Sequence, residues 1–184
     1  MTNEMSLSPE GLDFLKRHEG SVKSSKGTHE VYFDVAAFRT IGYGHKLSPS
    51  EVSSGKITIL DQHGIRTVIK YGNGITDDQA VMILNKDVND AVRAVNLMIR
   101  IPLKQHEFDA LVSFVYNIGT NAFSNSTIRK IINTAPETNP DDYARAVEAQ
   151  FKRWNRAGGR EVPGLVTRRA HEARLFNLGK YTTG

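Results

Sequence analysis

The stretch from Thr76 to Met98 most constrains the fold, because it predicts one long helix between two segments of different character. Thr76 and Gln79 have the spacing of a capping box, in which the threonine covers an early amide and the glutamine reaches back. Apolar residues then recur with helical periodicity at Ala80, Leu84, Val88, Ala91 and Val95. A helix of this length suits a connector between two lobes.

The segment before the long helix combines a short helix with strand-forming residues. Ser8 followed by Pro9 is typical of a helix start, and the pattern ends at Glu19, before Gly20. Aromatic and β-branched residues from 31 to 44 predict a β-hairpin, and those at 57–60 predict a further strand.

The segment after Pro102 predicts successive helices separated by glycine and proline, over residues 105–118, 125–133, 141–155 and 163–177. We therefore predict an α+β protein that is mainly α. Residues 1–184 are expected to form a single domain, with a small β-containing lobe at 20–75 and a helical lobe at 76–184, onto which the helix at 8–19 packs.

The composition excludes several classes of protein. The chain has 184 residues, a net charge of +4 and no cysteine, so disulfides, thiolate catalysis and cysteine-ligated zinc are excluded. No apolar run approaches the ~20 residues of a membrane span, and the start lacks the pattern of a secretory signal. Basic residues in the last third predict either a solvated helical face or a surface for a polyanion; they are Lys152, Arg153, Arg156, Arg160, Arg168, Arg169 and Arg174.

Glu19 is a candidate general acid. Its spacing puts it on the same helix face as Leu12 and Leu15, in the last turn. The negative end of the helix dipole and apolar surroundings both favour the protonated carboxyl there, and a general acid must keep its proton until a leaving group needs it. The alternative is an exposed, fraying helix end.

Asp34 is a candidate base. It lies where the hairpin bends, and Thr40 follows close behind, so a turn can bring the two side chains together around a water. One protonated and one ionised carboxyl group are typical of glycosidic bond cleavage. The alternative is that Asp34 only caps its own turn, as aspartate often does.

Other motifs favour neither a metal site nor a nucleotide site. The six histidines form no H-E-x-x-H pattern. Residues 42–44 lack the spacing of a phosphate-binding loop, and no G-x-S-x-G is present. We expect His45 to be a buried structural partner for an acid rather than a catalytic base, and we expect neither metal nor cofactor.

The order of these motifs resembles the phage-type lysozymes, the endolysins of the T4 lysozyme class. The resemblance rests on Glu19, on YFD at 32–34 and on TIGYGH at 40–45. It extends over nearly the whole chain through residues 75–80, 111–119, 123–126, 151–154 and 164–169. It implies a lysozyme-like fold, with a small β-hairpin lobe and a larger helical lobe joined by a long helix.

The resemblance also implies a reaction and a site. The reaction is hydrolysis of the β-1,4 bond between N-acetylmuramic acid and N-acetylglucosamine in bacterial peptidoglycan, with inversion, leading to host cell lysis. Glu19 would be the proton donor, Asp34 the base that activates water, and Thr40 the residue that positions the water. The residues that would line the sugar groove are Tyr116, Asn117 and Ser126.

Peptidoglycan is thus the expected partner of a monomer that binds no nucleic acid and does not insert into membranes. By family analogy the chain would stay in the host cytoplasm until a holin-type membrane partner releases it to the peptidoglycan layer in the periplasm. One alternative is a non-hydrolytic cationic protein that binds the cell wall or membranes. A second alternative is a nucleic-acid-binding protein, which is supported only by the basic residues in the last third of the chain.

Two departures from the family pattern are visible. Residues 24–31 (SSKGTHEV) carry an insertion between Glu19 and Asp34, which we expect to lengthen the first part of the hairpin without moving the catalytic ends. Ala37 stands where the family usually has glycine, so the bend after Asp34 either avoids positive φ or tolerates strain.

Overall fold

The computed structural model describes residues 4–34, 37–60, 64–134 and 139–183. The chain divides into two compact units, one formed by residues 1–18 with 90–184 and the other by residues 19–89. Helices predominate and the sheets are small and antiparallel, so the predicted α+β, mainly α class is confirmed. None of the helices in the described ranges is long and apolar enough to cross a membrane.

The unit of residues 19–89 contains two antiparallel sheets. The first has the strand order β1 (Tyr32–Phe33), β2 (Arg39–Ile41) and β3 (His45–Lys46). After the short helix α2 (Pro49–Ser54), the second sheet pairs β4 (Lys56–Leu60) with β5 (Arg66–Lys70). The long helix α3 (Asp77–Met98) begins in this unit, and the predicted capping box is present between Thr76 and Gln79.

Helix α2 was not predicted, although its sequence carries a clear start signal. Ser48 is the N-cap, and its side chain accepts a hydrogen bond from the backbone N–H of Glu51, while Glu51 accepts one from the backbone of Ser48. Pro49 follows at the first helical position, and Gly55 ends the helix in the left-handed conformation at φ 66°. The helix is only six residues long, too short for apolar periodicity to reveal it.

The other unit is built from helices. They are α1 (Pro9–Glu19, whose last residue belongs to the other unit), the second part of α3, α4 (Gln105–Ile118), α5 (Thr120–Ser124), α6 (Thr127–Asn133), α7 (Pro140–Lys152) and α8 (Pro163–Leu178). The predicted bounds of α4 are correct. The helix predicted at 125–133 begins only at Thr127, because Ser126 caps it and a separate helix, α5, precedes it. A small hairpin of β6 (Arg156–Ala157) and β7 (Arg160–Glu161) was not predicted.

The apolar core of this helical unit surrounds α4. Phe108, Leu111 and Phe114 of α4 are almost completely buried, and α4 packs against α8, which also packs against α7. The Phe114 ring meets the rings of Phe151 and Trp154 edge-on, at centroid distances of 5.0 and 5.9 Å. Edge-to-face aromatic pairs of this kind add to the stabilisation from buried area.

The start of α1 is tied to α4 by a buried carboxylate. Asp109 accepts hydrogen bonds from the backbone N–H and the hydroxyl of Ser8, and from the hydroxyl of Tyr181 near the C-terminus. The carboxylate lies so close to Gly11 that a Cβ atom there would be 2.6 Å from Asp109 Cγ. Burial and the hydrogen bond to Asp109 raise the pKa of Tyr181 to about 12.

Two of the basic residues in the last third are not on a solvated face. Arg168 and Arg169 of α8 are buried and both pair with Glu172, which is completely buried. Glu172 also accepts a hydrogen bond from the hydroxyl of Ser113 on α4, 2.7 Å away. Burial raises the pKa of Glu172, although Arg169 and Arg168 oppose that shift. For these two arginines the predicted solvated face is therefore wrong, because a buried carboxylate one turn away pairs with them.

Substituting Glu172→Gln should strongly destabilise the protein, because it leaves two guanidinium groups buried without their carboxylate. Removing one partner of a buried ion pair costs about 3–5 kcal/mol. Urea unfolding would measure the change in the free energy of unfolding. The matched control is Glu148→Gln, which breaks the exposed pair between Glu148 and Lys152 and should cost below about 1 kcal/mol. Equal effects of the two substitutions would contradict a structural role for the buried pair.

Candidate active site

Glu19 is the last residue of α1 and is half-buried. Its carboxylate lies against the backbone of Gly44, where a Cβ atom would approach Glu19 Oε2 to 3.2 Å. Gly44 also has φ +82°, a conformation that residues with a side chain rarely adopt. This explains why the second position of glycine in the TIGYGH motif is occupied by Gly44: a side chain there would be strained and would crowd the carboxylate.

Three side chains form a row across the first sheet. Tyr32 is paired with Thr40, and Thr40 is paired with Lys46 on the other side. Residues directly opposite each other in antiparallel strands project to the same face of a sheet. Thr40 is thus at the centre of the row, almost fully buried, and its hydroxyl donates to the carbonyl of Phe38 at 3.1 Å.

Asp34 follows β1 and faces the end of this row. Its Oδ1 accepts a hydrogen bond from the backbone N–H of Phe38 at 2.9 Å, so Asp34 does cap its own turn. Its Oδ2 lies 3.4 Å from the ammonium group of Lys46. The ammonium group also lies 4.7 Å from the centroid of the Phe38 ring. One carboxylate oxygen thus fixes the bend, while the other lies beside a positive charge.

Tyr32 belongs to the same row, and the sequence analysis did not predict it as a candidate site residue. Burial first, and then the negative charges of Glu19 and Asp34, raise the pKa of the Tyr32 phenol. The phenol therefore interacts electrostatically with both candidate catalytic carboxylates. Strand alternation puts Tyr32 on the same side as Asp34, two residues on, but only the register of β1 with β2 shows that this side carries Thr40.

The insertion does not lengthen the hairpin, contrary to our expectation. Strand β1 has only two residues, and the segment from 22 to 30 folds back on itself through the bridge of Lys23 with His29. The backbone of His29 then exchanges two hydrogen bonds with Ile75, of 2.8 and 2.9 Å. The inserted segment is therefore attached to the start of α3 instead of extending the first strand.

The carboxylate of Asp77, in the first turn of α3, holds this arrangement together. Its Oδ1 lies within hydrogen-bonding distance of His29 Nε2 (3.0 Å), the Tyr43 hydroxyl (2.7 Å) and the Lys23 ammonium group (2.9 Å). The His29 side chain is fully buried, and its ring packs edge-on against the ring of Tyr43 at 5.0 Å. Because Tyr43 precedes Gly44, one carboxylate fixes both the insertion and the turn beside Glu19.

Ala37 adopts positive φ, at 61°. Within the described part of the chain no other residue with a side chain does so. Of the two outcomes left open by the sequence, the bend after Asp34 therefore tolerates strain. The left-handed conformation costs an alanine roughly 1–2 kcal/mol, and the hydrogen bonds between Asp34 and Phe38 that close the turn offset this cost.

The three predicted groove residues lie in the helical unit. Tyr116 and Asn117 are at the end of α4, where Tyr116 is half-buried and the Asn117 side chain accepts a hydrogen bond from Arg169 at 2.9 Å. Ser126 is buried, and its hydroxyl donates to the carbonyl of Phe123 and accepts from the backbone of Arg129. The Asn117 and Ser126 side chains thus have structural partners, and contact with sugar stays a prediction for all three residues.

His45 is buried between two carboxylates, as the sequence predicted. Its Nδ1 lies 2.7 Å from Asp87 of α3, and its Nε2 lies 3.3 Å from Glu51 of α2. Burial alone would lower the pKa of His45, but the hydrogen bond and charge of Asp87, with the charge of Glu51, outweigh burial and raise that pKa. The pKa of Glu51 is lowered. Burial alone would raise that pKa, but hydrogen bonds from Ser48 and the charge of His45 outweigh burial.

Substituting His45→Gln should destabilise the protein more at low pH than at high pH. Because the folded pKa is raised, the protonated imidazole stabilises the fold fully below the unfolded value of about 6.5, and the stabilisation is lost as the pH rises through the folded value. We expect a deficit of about 1–3 kcal/mol near pH 5.5, shrinking towards pH 9, in urea unfolding of both proteins. Asp87→Asn should give the same trend, and a deficit independent of pH would contradict it.

The described residues contain no group of three or more histidine, aspartate or glutamate side chains that could hold a metal ion. The arrangement in residues 19–89 brings together carboxylates, a hydroxyl, a phenol and an ammonium group. Such a set can donate a proton, accept one and position a water. These steps are those of general acid and base catalysis.

Comparison with known proteins gives the family. Residues 23–172 match the model of the Phage lysozyme family, and the chain belongs to that family. The predicted resemblance and the lysozyme-like fold are thereby confirmed. Asp34, Thr40 and all three predicted groove residues are inside the matched range, and Glu19 lies just before it.

Relatives in the family are phage endolysins. The chain is 35% identical over 95% of its length to an endolysin of Bacillus phage PZA, and it spans 56% of that relative's length. It is 32% identical to an endolysin of Acyrthosiphon pisum secondary endosymbiont phage 1, covering 94% of this chain and 98% of the relative. The solved structure of the endolysin from Escherichia coli O157:H7 phage FAHEc1 covers 99% of both chains, with a TM-score of 0.72 at 33% identity.

Proposed function

We propose that this protein is an endolysin that hydrolyses the β-1,4 bond between N-acetylmuramic acid and N-acetylglucosamine in bacterial peptidoglycan. The observation that carries the proposal is the arrangement within residues 19–89, where the Glu19 carboxylate lies against Gly44, Thr40 is paired across the strands with Tyr32 and Lys46, and Asp34 lies 3.4 Å from the Lys46 ammonium group. Membership of the phage lysozyme family supports the same enzyme class.

In the proposed mechanism Glu19 donates a proton to the oxygen of the leaving sugar. Asp34 accepts a proton from the attacking water through its Oδ2, since its Oδ1 is occupied by the backbone N–H of Phe38. Thr40 positions the water. Its hydroxyl donates its proton to the carbonyl of Phe38, so the hydroxyl oxygen can accept a hydrogen bond from the water. Lys46 stabilises the negative charge of Asp34 before the proton arrives.

Substituting Glu19→Gln should lower the rate of peptidoglycan hydrolysis by about 10²–10⁴-fold, because the amide keeps the shape of the side chain but cannot donate the proton. Loss of turbidity of purified peptidoglycan measures the rate, and thermal unfolding checks that stability is little changed. The control Glu10→Gln removes an exposed carboxylate from the other end of α1 and should retain activity.

Unchanged lysis by the Glu19→Gln variant would contradict the catalytic role. Lysis that survives both Glu19→Gln and Asp34→Asn, yet falls steeply with salt, would favour the non-hydrolytic cationic alternative.

The reaction is proposed to proceed with inversion, because Asp34 is assigned to a water rather than to the sugar. An inverting enzyme converts the β-linked bond into a product whose newly formed reducing end is first the α-anomer. Proton NMR during hydrolysis of soluble peptidoglycan fragments would detect that anomer before mutarotation. Initial appearance of the β-anomer would instead indicate a covalent intermediate.

The cellular part of the proposal rests on the family resemblance. The enzyme would act as a monomer on the peptidoglycan layer, after a holin-type partner permeabilises the membrane and releases it from the host cytoplasm. The net charge of +4 would concentrate it on an anionic wall.

A further inference from the structure

The outward face of the hairpin formed by β4 and β5 has an unusual composition. In the register of the two strands Lys56 is opposite Lys70, Thr58 is opposite Val68, and Leu60 is opposite Arg66. Directly opposite residues share one face of a sheet, so these six side chains form a single surface, here called the hairpin outer face. The other face of the same hairpin carries the buried side chains of Ile57, Ile59 and Ile69.

The hairpin outer face carries three positive charges, from Lys56, Arg66 and Lys70. Among the residues that the structure describes, Lys56, Arg66 and Lys70 form no ion pair. The carboxylate nearest in sequence on the adjoining helix α2 is that of Glu51, which is bound to Ser48 and His45. Lys56 directly opposite Lys70 is a like-charge pair, which destabilises a sheet. A negatively charged partner would relieve this repulsion.

The same face is also apolar towards the end of the hairpin. Leu60 is 64% exposed and Val68 is 46% exposed. A hydrated anionic polymer gains little from contact with aliphatic side chains, whereas the interface of an anionic membrane accepts aliphatic groups among its acyl chains and cations among its phosphates.

We propose that the hairpin outer face binds the headgroup region of an anionic phospholipid membrane, with Leu60 and Val68 entering the interface and the three cations contacting lipid phosphates. This association concerns where the protein is held and is separate from the reaction proposed above. It requires no spanning segment, because binding at the surface needs only a shallow apolar contact together with charge attraction.

Co-sedimentation of the purified full chain with phospholipid vesicles tests the charge. The chain should bind vesicles of phosphatidylcholine and phosphatidylglycerol, but not vesicles of phosphatidylcholine alone. Each lysine or arginine near an anionic surface is worth about fivefold in binding, so the triple variant K56Q/R66Q/K70Q should bind roughly a hundredfold more weakly. The matched control R93Q/R100Q/K130Q changes the net charge equally through three exposed cations of the other unit and should bind within about twofold of the unmodified chain.

A second pair of measurements tests the lipid. The variant L60S/V68S keeps every charge and should bind the anionic vesicles about tenfold or more weakly, because its aliphatic contact is lost. The same weakening should be absent when soluble polyglycerol phosphate replaces the vesicles. Equal binding of L60S/V68S and the unmodified chain to vesicles would overturn the proposal and assign the face to an anionic polymer.

Vesicle binding of K56Q/R66Q/K70Q equal to that of the unmodified chain would also overturn the proposal, since the cations would then only protect the strand edges from pairing with other chains. Circular dichroism confirms that each variant is folded. Hydrolysis of soluble peptidoglycan fragments should be unchanged in all of them, so a failure of the membrane proposal is distinct from a failure of the proposed enzyme function.

Discussion

The Asp77 carboxylate is the interaction on which the arrangement of residues 19–89 depends. It binds side chains from the inserted segment and from the turn between β2 and β3, and it lies in the first turn of α3, where the helix dipole favours a negative charge. The turn it anchors contains Gly44, against which the Glu19 carboxylate lies. A single oxygen atom therefore connects an insertion, which varies from the family pattern, to the neighbourhood of the proposed acid.

Buried carboxylates play a similar part in the helical unit. Asp109 joins the start of α1 to α4 and to the C-terminal segment, and Glu172 joins α8 to α4. Each accepts several hydrogen bonds, which is the condition under which a buried charge is tolerated. In a chain without cysteine, these connections supply the directional contacts between distant segments that apolar packing alone does not specify.

Much of the fold was predictable because long helices leave strong signals. The capping box of α3 and the apolar pattern of α4 gave helices at the observed positions, whereas the six-residue α2 and the two-residue strands are too short for periodicity. Glu19, Asp34 and Thr40 were predicted as site residues from helix position, hairpin bend and family motif. Lys46 and Tyr32 were not, because only the strand register shows that they flank Thr40. Arg168 and Arg169 were misassigned, since a charge pattern does not reveal which cations find a buried partner.

The residues around the proposed base, Asp34, lie close together along the chain, whereas those that hold the surroundings of the proposed acid, Glu19, lie far apart. Tyr32, Thr40 and Lys46 come from three consecutive strands, and Asp34 directly follows the first of them. Only a few residues separate these strands along the chain, so bringing the side chains together closes only short loops and costs little chain entropy. The attachment of the inserted segment to Ile75 and Asp77 joins residues far apart in sequence, and such contacts form late when folding is limited by loop closure. The water-activating half of the site can thus assemble as a local folding event, while the surroundings of Glu19 are completed only when the start of α3 is in place.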